Sequence, residues 1–305
     1  MRRVRNDEDL GIATIFVVLM MPLLVLFSAL VFDGGRGVLA RRQTQNAADA
    51  GALAKATDCA LSVSGTDFVP YQTNGAVLAD PPPECGAGTT TVWMKKNISF
   101  VFRPGGGNAD VTRRATANWG TLGAASTLPI AISNCEFTQA LLAGTTEIIL
   151  YLDDSKPQTG CSSRPGGFSQ LEAGANFCAG VIIANTFVDG QPGAPDPNLD
   201  DCITNPDPNE PPLPYRVLIP MYDASACPVA TCKGNGPYKI LGFASFKVTG
   251  YDFTGNRHDG TLDGGCPDEA RGKYCIQGDF IEFVETQGTP GPGTDFGTRV
   301  VYLAS

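Results

Sequence analysis

Residues equipped for catalysis are few in this sequence, and their spacing works against them. Proton transfer near neutral pH most often recruits histidine, and the only one, His258, sits in TGNRHDG, a stretch of turn composition. The adjacent acids Asp153 with Asp154 and Asp200 with Asp201 would make a glycosidase pair only if their carboxyls faced each other. Neighbours at a strand end point to opposite faces instead. Asp189, Asp196, Asp200 and Asp201 are an oxygen-rich set of the kind calcium takes outside cells. Their proline spacing fits no defined calcium loop, so solvated loop acids are the plainer reading. GGGN at Gly105–Asn108 lacks the lysine and following helix of a phosphate cradle. We therefore expect no enzyme, no cofactor and no metal.

Cysteine is the remaining reactive type. All ten lie between Cys59 and Cys275, without the tight pairs and histidines that zinc uses. An even number in such a chain points to disulfides and an oxidising compartment. Short loops close most readily, so Cys227 with Cys232 and Cys266 with Cys275 are the first candidates, and Cys59 with Cys85 a third.

What positions these residues begins with one apolar run. From Leu10 to Phe32 there is no charge, and at helical rise this is about 34 Å, enough to cross a bilayer. The span carries Gly11, Phe16, Pro22, Phe27 and Phe32 as anchor residues. Pro22 removes one backbone donor, which predicts a mild kink. An export-signal core is shorter, about 7 to 15 residues, although Ser28 and Ala29 leave room for cleavage and hence for a removed signal. Arginines flank the span on both sides, at Arg2, Arg3, Arg5 and at Arg36, Arg41, Arg42. The positive-inside rule is then nearly balanced, and the cysteines decide: the N-terminus is expected in the cytoplasm and the C-terminal domain outside, in a single pass through the cell membrane.

Beyond the span, Asp33-Gly34-Gly35 has the composition of a helix end or hinge. Helix resumes in the alanine-rich stretch from Val38 to Thr57, whose small side chains admit close approach by another backbone. Two coverings fit it equally well. One is the protein's own β-domain. The other is a partner helix, with Val38, Gln45, Asn46, Ala48, Asp49 and Ala52 as contacts. The expected organisation is a cytoplasmic tail at 1–9, a transmembrane helix at 10–32, a stalk helix at 33–58 and an extracytoplasmic domain at 59–305.

These residues resemble the TadE/TadG-like components of tight-adherence, or Flp-type, pilus systems, especially the long actinobacterial members. The likeness runs through the apolar segment with Pro22, is strongest in VLARRQTQNAADAGALAKA, and continues in LPIAISNCEF, GGFSQLEAGANFC and KILGFASFKVTGYDF. It implies Tad-type pilins or pseudopilins and the inner-membrane assembly platform as partners. A processed pilin carries glutamate five residues after its cleavage glycine. Phe16 stands there after Gly11, so the resemblance does not imply cleavage. Some relatives carry a von Willebrand factor A domain; in DDSKP, Asp153 and Ser155 suit its metal loop, but Pro157 replaces the second serine.

From residue 61 the chain alternates short apolar stretches with glycine and proline, the pattern of strands and turns. TVWMKKNISFVF places Val92, Met94, Ile98, Phe100 and Phe102 on one face, and VTRRATANW does so for Val111, Ala115, Ala117 and Trp119. Further strands are expected at 147–152, 181–187, 215–222, 238–253, 279–285 and 298–303. A long helix followed by segregated strands is α+β, here with a disulfide-rich, mostly β outer domain. The formal charge of −9 arises after residue 60, where fifteen basic and twenty-five acidic side chains outweigh the near balance of the first sixty residues. Such a surface repels phosphate backbones, so nucleic acid is not an expected partner. Together with the apolar span, the resemblance implies a structural pilus-assembly component docking through its helix, with the lipid bilayer as a partner. The alternative is a membrane-anchored adhesin or carbohydrate-binding module using Trp93, Trp119, Tyr71 and the acidic loops. A tethered hydrolase is the weakest reading, because no nucleophile, base and orienter assemble from these residues.

Overall fold

The computed structural model describes residues 8–102, 107–144, 147–152, 161, 171, 180–190, 215–226, 237–253, 256–258, 275–285 and 288–304. The chain divides into two compact units, the first holding residues up to 59, 63–118 and 303–305, the second 60–62 and 119–302.

The first unit is built on one helix, α1 (Glu8–Ala60). It runs without interruption through Pro22 and through Gly34, Gly35 and Gly37, where the sequence suggested a hinge. Three glycines inside a helix cost about 1 kcal/mol each relative to alanine, so something must offset them. The Asp33 carboxylate accepts hydrogen bonds from the backbone N–H groups of Val101 (3.1 Å) and Phe102 (3.0 Å). Phe32 also meets Phe102 edge-on at 6.0 Å between ring centroids, with the Arg36 guanidinium 5.9 Å from the Phe32 ring. These contacts hold the glycine segment in place from outside the helix.

Strands β1 (Ala76–Leu78) and β2 (Thr89–Ser99) pair antiparallel, as do β2 and the long β3 (Asn108–Ser126). Their alternation turns Thr90, Val92, Met94, Ala115 and Ala117 inward. Along α1, Ala40, Thr44, Ala47, Ala48, Gly51, Ala52 and Ala56 are buried at helical spacing. The two surfaces touch: a Cβ on Gly51 would lie 3.1 Å from the Met94 Cε and 3.4 Å from a Val92 methyl. The Thr44 hydroxyl, which would otherwise be an orphan donor there, donates to the Ala40 carbonyl at 2.7 Å. A disulfide between Cys59 and Cys85 ties the end of α1 to the loop before β2.

In the second unit the central element is β9 (Tyr238–Phe253), flanked antiparallel by β8 (Tyr215–Tyr222) and β11 (Cys275–Ile281). β4 (Ile132–Ser133) extends the sheet beyond β8 in parallel, and β5 (Ile148–Tyr151) extends it beyond β11 antiparallel. One core gathers Ile130, Ile132, Leu150, Ile219, Phe246, Val248 and Ile276. Another gathers Leu122, Ile182, Tyr222, Tyr238, Ile240 and Phe243. A short helix, α2 (Asn134–Ala143), sits over the first core, with Phe137 edge-on to Phe280 and Phe296 at 4.7 and 5.2 Å. It begins in a capping box, in which the Glu136 N–H donates to the Ser133 hydroxyl and the Ser133 N–H donates to the Glu136 carboxylate. Left-handed Gly144 ends it. A second disulfide joins Cys135 on α2 to Cys161.

The remaining short strands complete the second unit. β6 (Val181–Ile183) and β13 (Thr289–Pro290) pair with the end of β3. β12 (Phe283–Glu285) and β15 (Thr298–Leu303) run parallel to each other. β7 (Phe187–Val188), β10 (Asn256–His258) and β14 (Thr294–Asp295) all pair with β9. The α+β class holds, as one long apolar helix followed by mostly β structure. The strands expected at 215–222, 238–253 and 298–303 appear with those bounds. The one expected at 181–187 is β6 and the start of β7, and the one at 279–285 is split between β11 and β12. His258 lies by its backbone in β10, opposite Tyr251, rather than in a turn.

Candidate functional site

The surface that sets this chain apart is the N-terminal half of α1. Large apolar side chains from Ile15 to Phe32 are exposed on every side, and no described residue covers them. The helix is long and apolar enough to cross a membrane, with a mean hydropathy of 2.9 over its most apolar window. Phe16, Pro22, Phe27 and Phe32 all lie on that open surface, and Gly11 is part of the helix backbone. No glycine-plus-glutamate pair is present to suggest processing, since Phe16 holds the relevant position.

The C-terminal half of α1 behaves differently on its two sides. Ala48 and Ala52, expected as partner-helix contacts, are 0% exposed and covered by the chain's own strands. This corrects that assignment: of the two coverings open to the small-residue face, the protein's own β-structure takes it. Alanine suits both roles, which is why composition alone left the choice open. Asp49 is half-buried, and its carboxylate accepts from the Gln45 amide at 2.8 Å. Gln45 also donates to the Arg114 carbonyl at 3.3 Å, and Lys96 donates to the Gln43 side chain at 2.6 Å. Polar links thus flank the apolar seam. Val38 and Asn46 remain exposed, and Gly35, Leu39, Arg42 and Asn46 form one outward row at helical spacing.

Where the apolar half ends, Phe100, Val101 and Phe102, just after β2, stand against α1. A groove of about 710 Å³ opens there, with Leu26, Ala29 and Leu30 on one wall, Phe100 and Phe102 on the other, and Asp33 and Arg41 along it. Asp33 was the residue missed by sequence reasoning. A lone acid beside glycines signals a helix end in sequence, and the backbone donors that it serves lie 68 and 69 positions away.

The second unit offers a smaller cleft of about 280 Å³ beside α2, bordered by Phe137, Phe280, Glu282, Asp295 and Arg299. Arg299 forms a two-pronged ion pair with Asp295 at 2.9 and 2.8 Å, which satisfies both groups. Elsewhere Arg216 bonds Glu285 at 2.8 Å and lies 3.6 Å over the Phe283 ring. Among the described residues no three His, Cys, Asp or Glu side chains group to hold a metal. Asp153, Asp154, Asp196, Asp200, Asp201, Gly105 and Gly106 lie outside the described residues, as do Ser155, Pro157, Cys227, Cys232 and Cys266. Cys275 is disulfide-bonded, to a residue that is also outside them. Trp93 and Trp119 are half-buried, Trp93 with the Arg114 guanidinium 5.7 Å from its ring.

One carboxyl in this unit is held under tension. Burial raises the pKa of Asp279, and the neighbouring Glu147 raises it further, against a smaller lowering by Lys247. A folded-state pKa above the unfolded value means that folding favours the protonated acid. The penalty is therefore fully present above the folded pKa and fades as pH falls through the acid range. Asp279→Asn is expected to raise the thermal midpoint at pH 7, with the gain shrinking toward pH 3. A midpoint that is unchanged at pH 7, or a gain that persists in acid, would show that the carboxylate carries no such penalty.

Compared with known families, residues 11–57 match the model described as putative Flp pilus-assembly TadE/G-like. The match ends three residues before α1 does, so it covers the exposed apolar half and nearly all of the stalk. None of the curated proteins matches the chain, and none of the solved structures does.

Proposed function

We propose that this TadE/G-like chain is a membrane-anchored structural component of a Flp-type pilus or of its secretion machinery. The observation that carries the reading is the coincidence of the family match at residues 11–57 with a helix whose first half is exposed, apolar and long enough to span a bilayer. On this reading the apolar half of α1 sits in the membrane and packs against helices of pilin-like subunits. Because the small-residue face of the stalk is already occupied, docking there uses the outward row of Leu39, Arg42 and Asn46. The disulfides support a reading with the C-terminal β-rich part outside the cytoplasm, where such bonds persist, and the N-terminus inside. The chain does no chemistry of its own.

The test is deletion of the gene, followed by complementation with the parent chain or with Leu39→Asp combined with Asn46→Arg. Both substituted side chains are exposed, so folding and chain level should be unchanged. Electron microscopy is expected to show surface pili lost on deletion, restored by the parent, and not restored by the double variant. Intact pili with reduced attachment in the deletion strain would overturn the proposal in favour of an adhesin.

A further inference from the structure

Just after β2 stand two apolar side chains that the first unit leaves half or more exposed, Val101 and Phe102. Val101 is 58% exposed and Phe102 51% exposed. Their position along the helix is fixed. Asp33 binds both backbone N–H groups, and Phe102 rests on Phe32, the last residue of the apolar run. Val101 and Phe102 therefore stand at the level where the span ends.

The groove beside it has the shape of a lipid site by chemistry as well as by place. Leu26, Ala29 and Leu30 line its lower part, Phe100 and Phe102 its outer wall, and Arg41 its upper end. From Leu26 to Arg41 is about 22 Å at helical rise, and Leu26 lies about 9 Å inside the apolar run, within the outer half of a hydrocarbon core of about 30 Å. An acyl chain would meet the apolar part of the groove while a headgroup phosphate met Arg41, and the exposed Arg36 beside Phe32 adds a second cation about 8 Å nearer the apolar run. Aromatic side chains at this boundary and cations just above it are the usual interfacial arrangement.

We infer that the chain just after β2 makes a second membrane contact: Val101 and Phe102 dip into the headgroup boundary of the bilayer that holds α1, and the groove behind them takes a phospholipid. This rests on the anchoring reading above, but does not depend on which side of the membrane the contact occupies. Two points of contact would fix the rotation of the helix about its own axis and thereby the direction its outward row faces.

The experiment places the full chain in phosphatidylcholine–phosphatidylglycerol vesicles with a tryptophan reporter, either Phe102→Trp or, as the anchoring control, Phe27→Trp. Fluorescence added over the parent is read with lipids brominated near the carbonyl or near the tail of the acyl chain, and with aqueous iodide. Phe102→Trp is expected to emit at shorter wavelength than an exposed tryptophan and to lose most of its added signal to the shallow bromines. Phe27→Trp should respond to bromolipids and not to iodide. Quenching of Phe27→Trp by bromolipid together with iodide quenching of Phe102→Trp overturns the inference and leaves the anchor standing. A Phe102→Trp signal shielded from both quenchers means protein covers this segment, which also overturns it. If neither variant responds to bromolipid, the anchoring reading fails first and takes this one with it.

Discussion

Replacing Ala48 or Ala52 by leucine is expected to destabilise the first unit by about 2–3 kcal/mol each, because neither site has room for three more carbons. Both alanines are fully buried between α1 and the strands of the first unit, and the neighbouring Gly51 already has the Met94 Cε within 3.1 Å of where a Cβ would stand. A leucine must push the helix off Val92 and Met94 or twist into a poor rotamer. Exposed Asn46→Leu, one turn away on the outward row, should fall within about 0.5 kcal/mol of the parent. Urea unfolding followed by circular dichroism, or hydrogen exchange of residues 40–56, separates the two. Equal effects at Ala48 and Asn46 would mean that the buried face opens in solution, and would return it to the list of partner surfaces. The result also bears on function. Loss of pili in an Ala48→Leu strain would report a damaged stalk rather than a broken subunit contact, so assembly is better probed from Leu39 and Asn46.

Much of this architecture was legible because it rests on local signals. An uncharged run from Leu10 to Phe32 can satisfy its backbone in lipid only as a helix, and the alternation in Val92, Met94, Ala115 and Ala117 marks a buried sheet face whatever covers it. Strands at 215–222 and 238–253 were equally plain, being rich in β-branched and aromatic residues and bounded by turn formers. What sequence could not supply was pairing at a distance. The glycines after Asp33 read as a break because their stabiliser, the segment at Val101 and Phe102, is far along the chain. The small-residue stripe left two coverings possible, since alanine admits strand and helix alike. Helix α2 went unread although SNCEF carries a capping-box pattern, because ten residues give too few turns for a periodic signal and LPIAIS before it reads as strand. The family match covers residues 11–57, where the helix is, and the later segments that share the likeness lie beyond it, so the strands there rest on their own apolar alternation.

Loss of the bond between Cys59 and Cys85 is expected to have the largest single effect on the first unit. It closes a loop of 26 residues in sequence separation, for which chain entropy alone gives about 3.5 kcal/mol of stabilisation. That is a large part of the 5–15 kcal/mol that holds a typical domain together. The bond fastens the last turn of α1 to the segment leading into β2, where Thr57 also bonds back along its own helix to the Leu53 carbonyl at 2.9 Å. Cys59→Ser, Cys85→Ser and the double variant should therefore lower stability by similar amounts, since each removes the same constraint, and the double variant should be no worse than either single one. Additive losses would show instead that the two sulfurs pack independently and that the cross-link contributes little. Run in cells, the same pair reports topology: a bond that forms in an export-competent strain and is missing when disulfide-forming enzymes are absent places the end of the stalk outside the cytoplasm, whereas thiols that stay reduced and react only after the cytoplasm is opened would turn the chain around in the membrane.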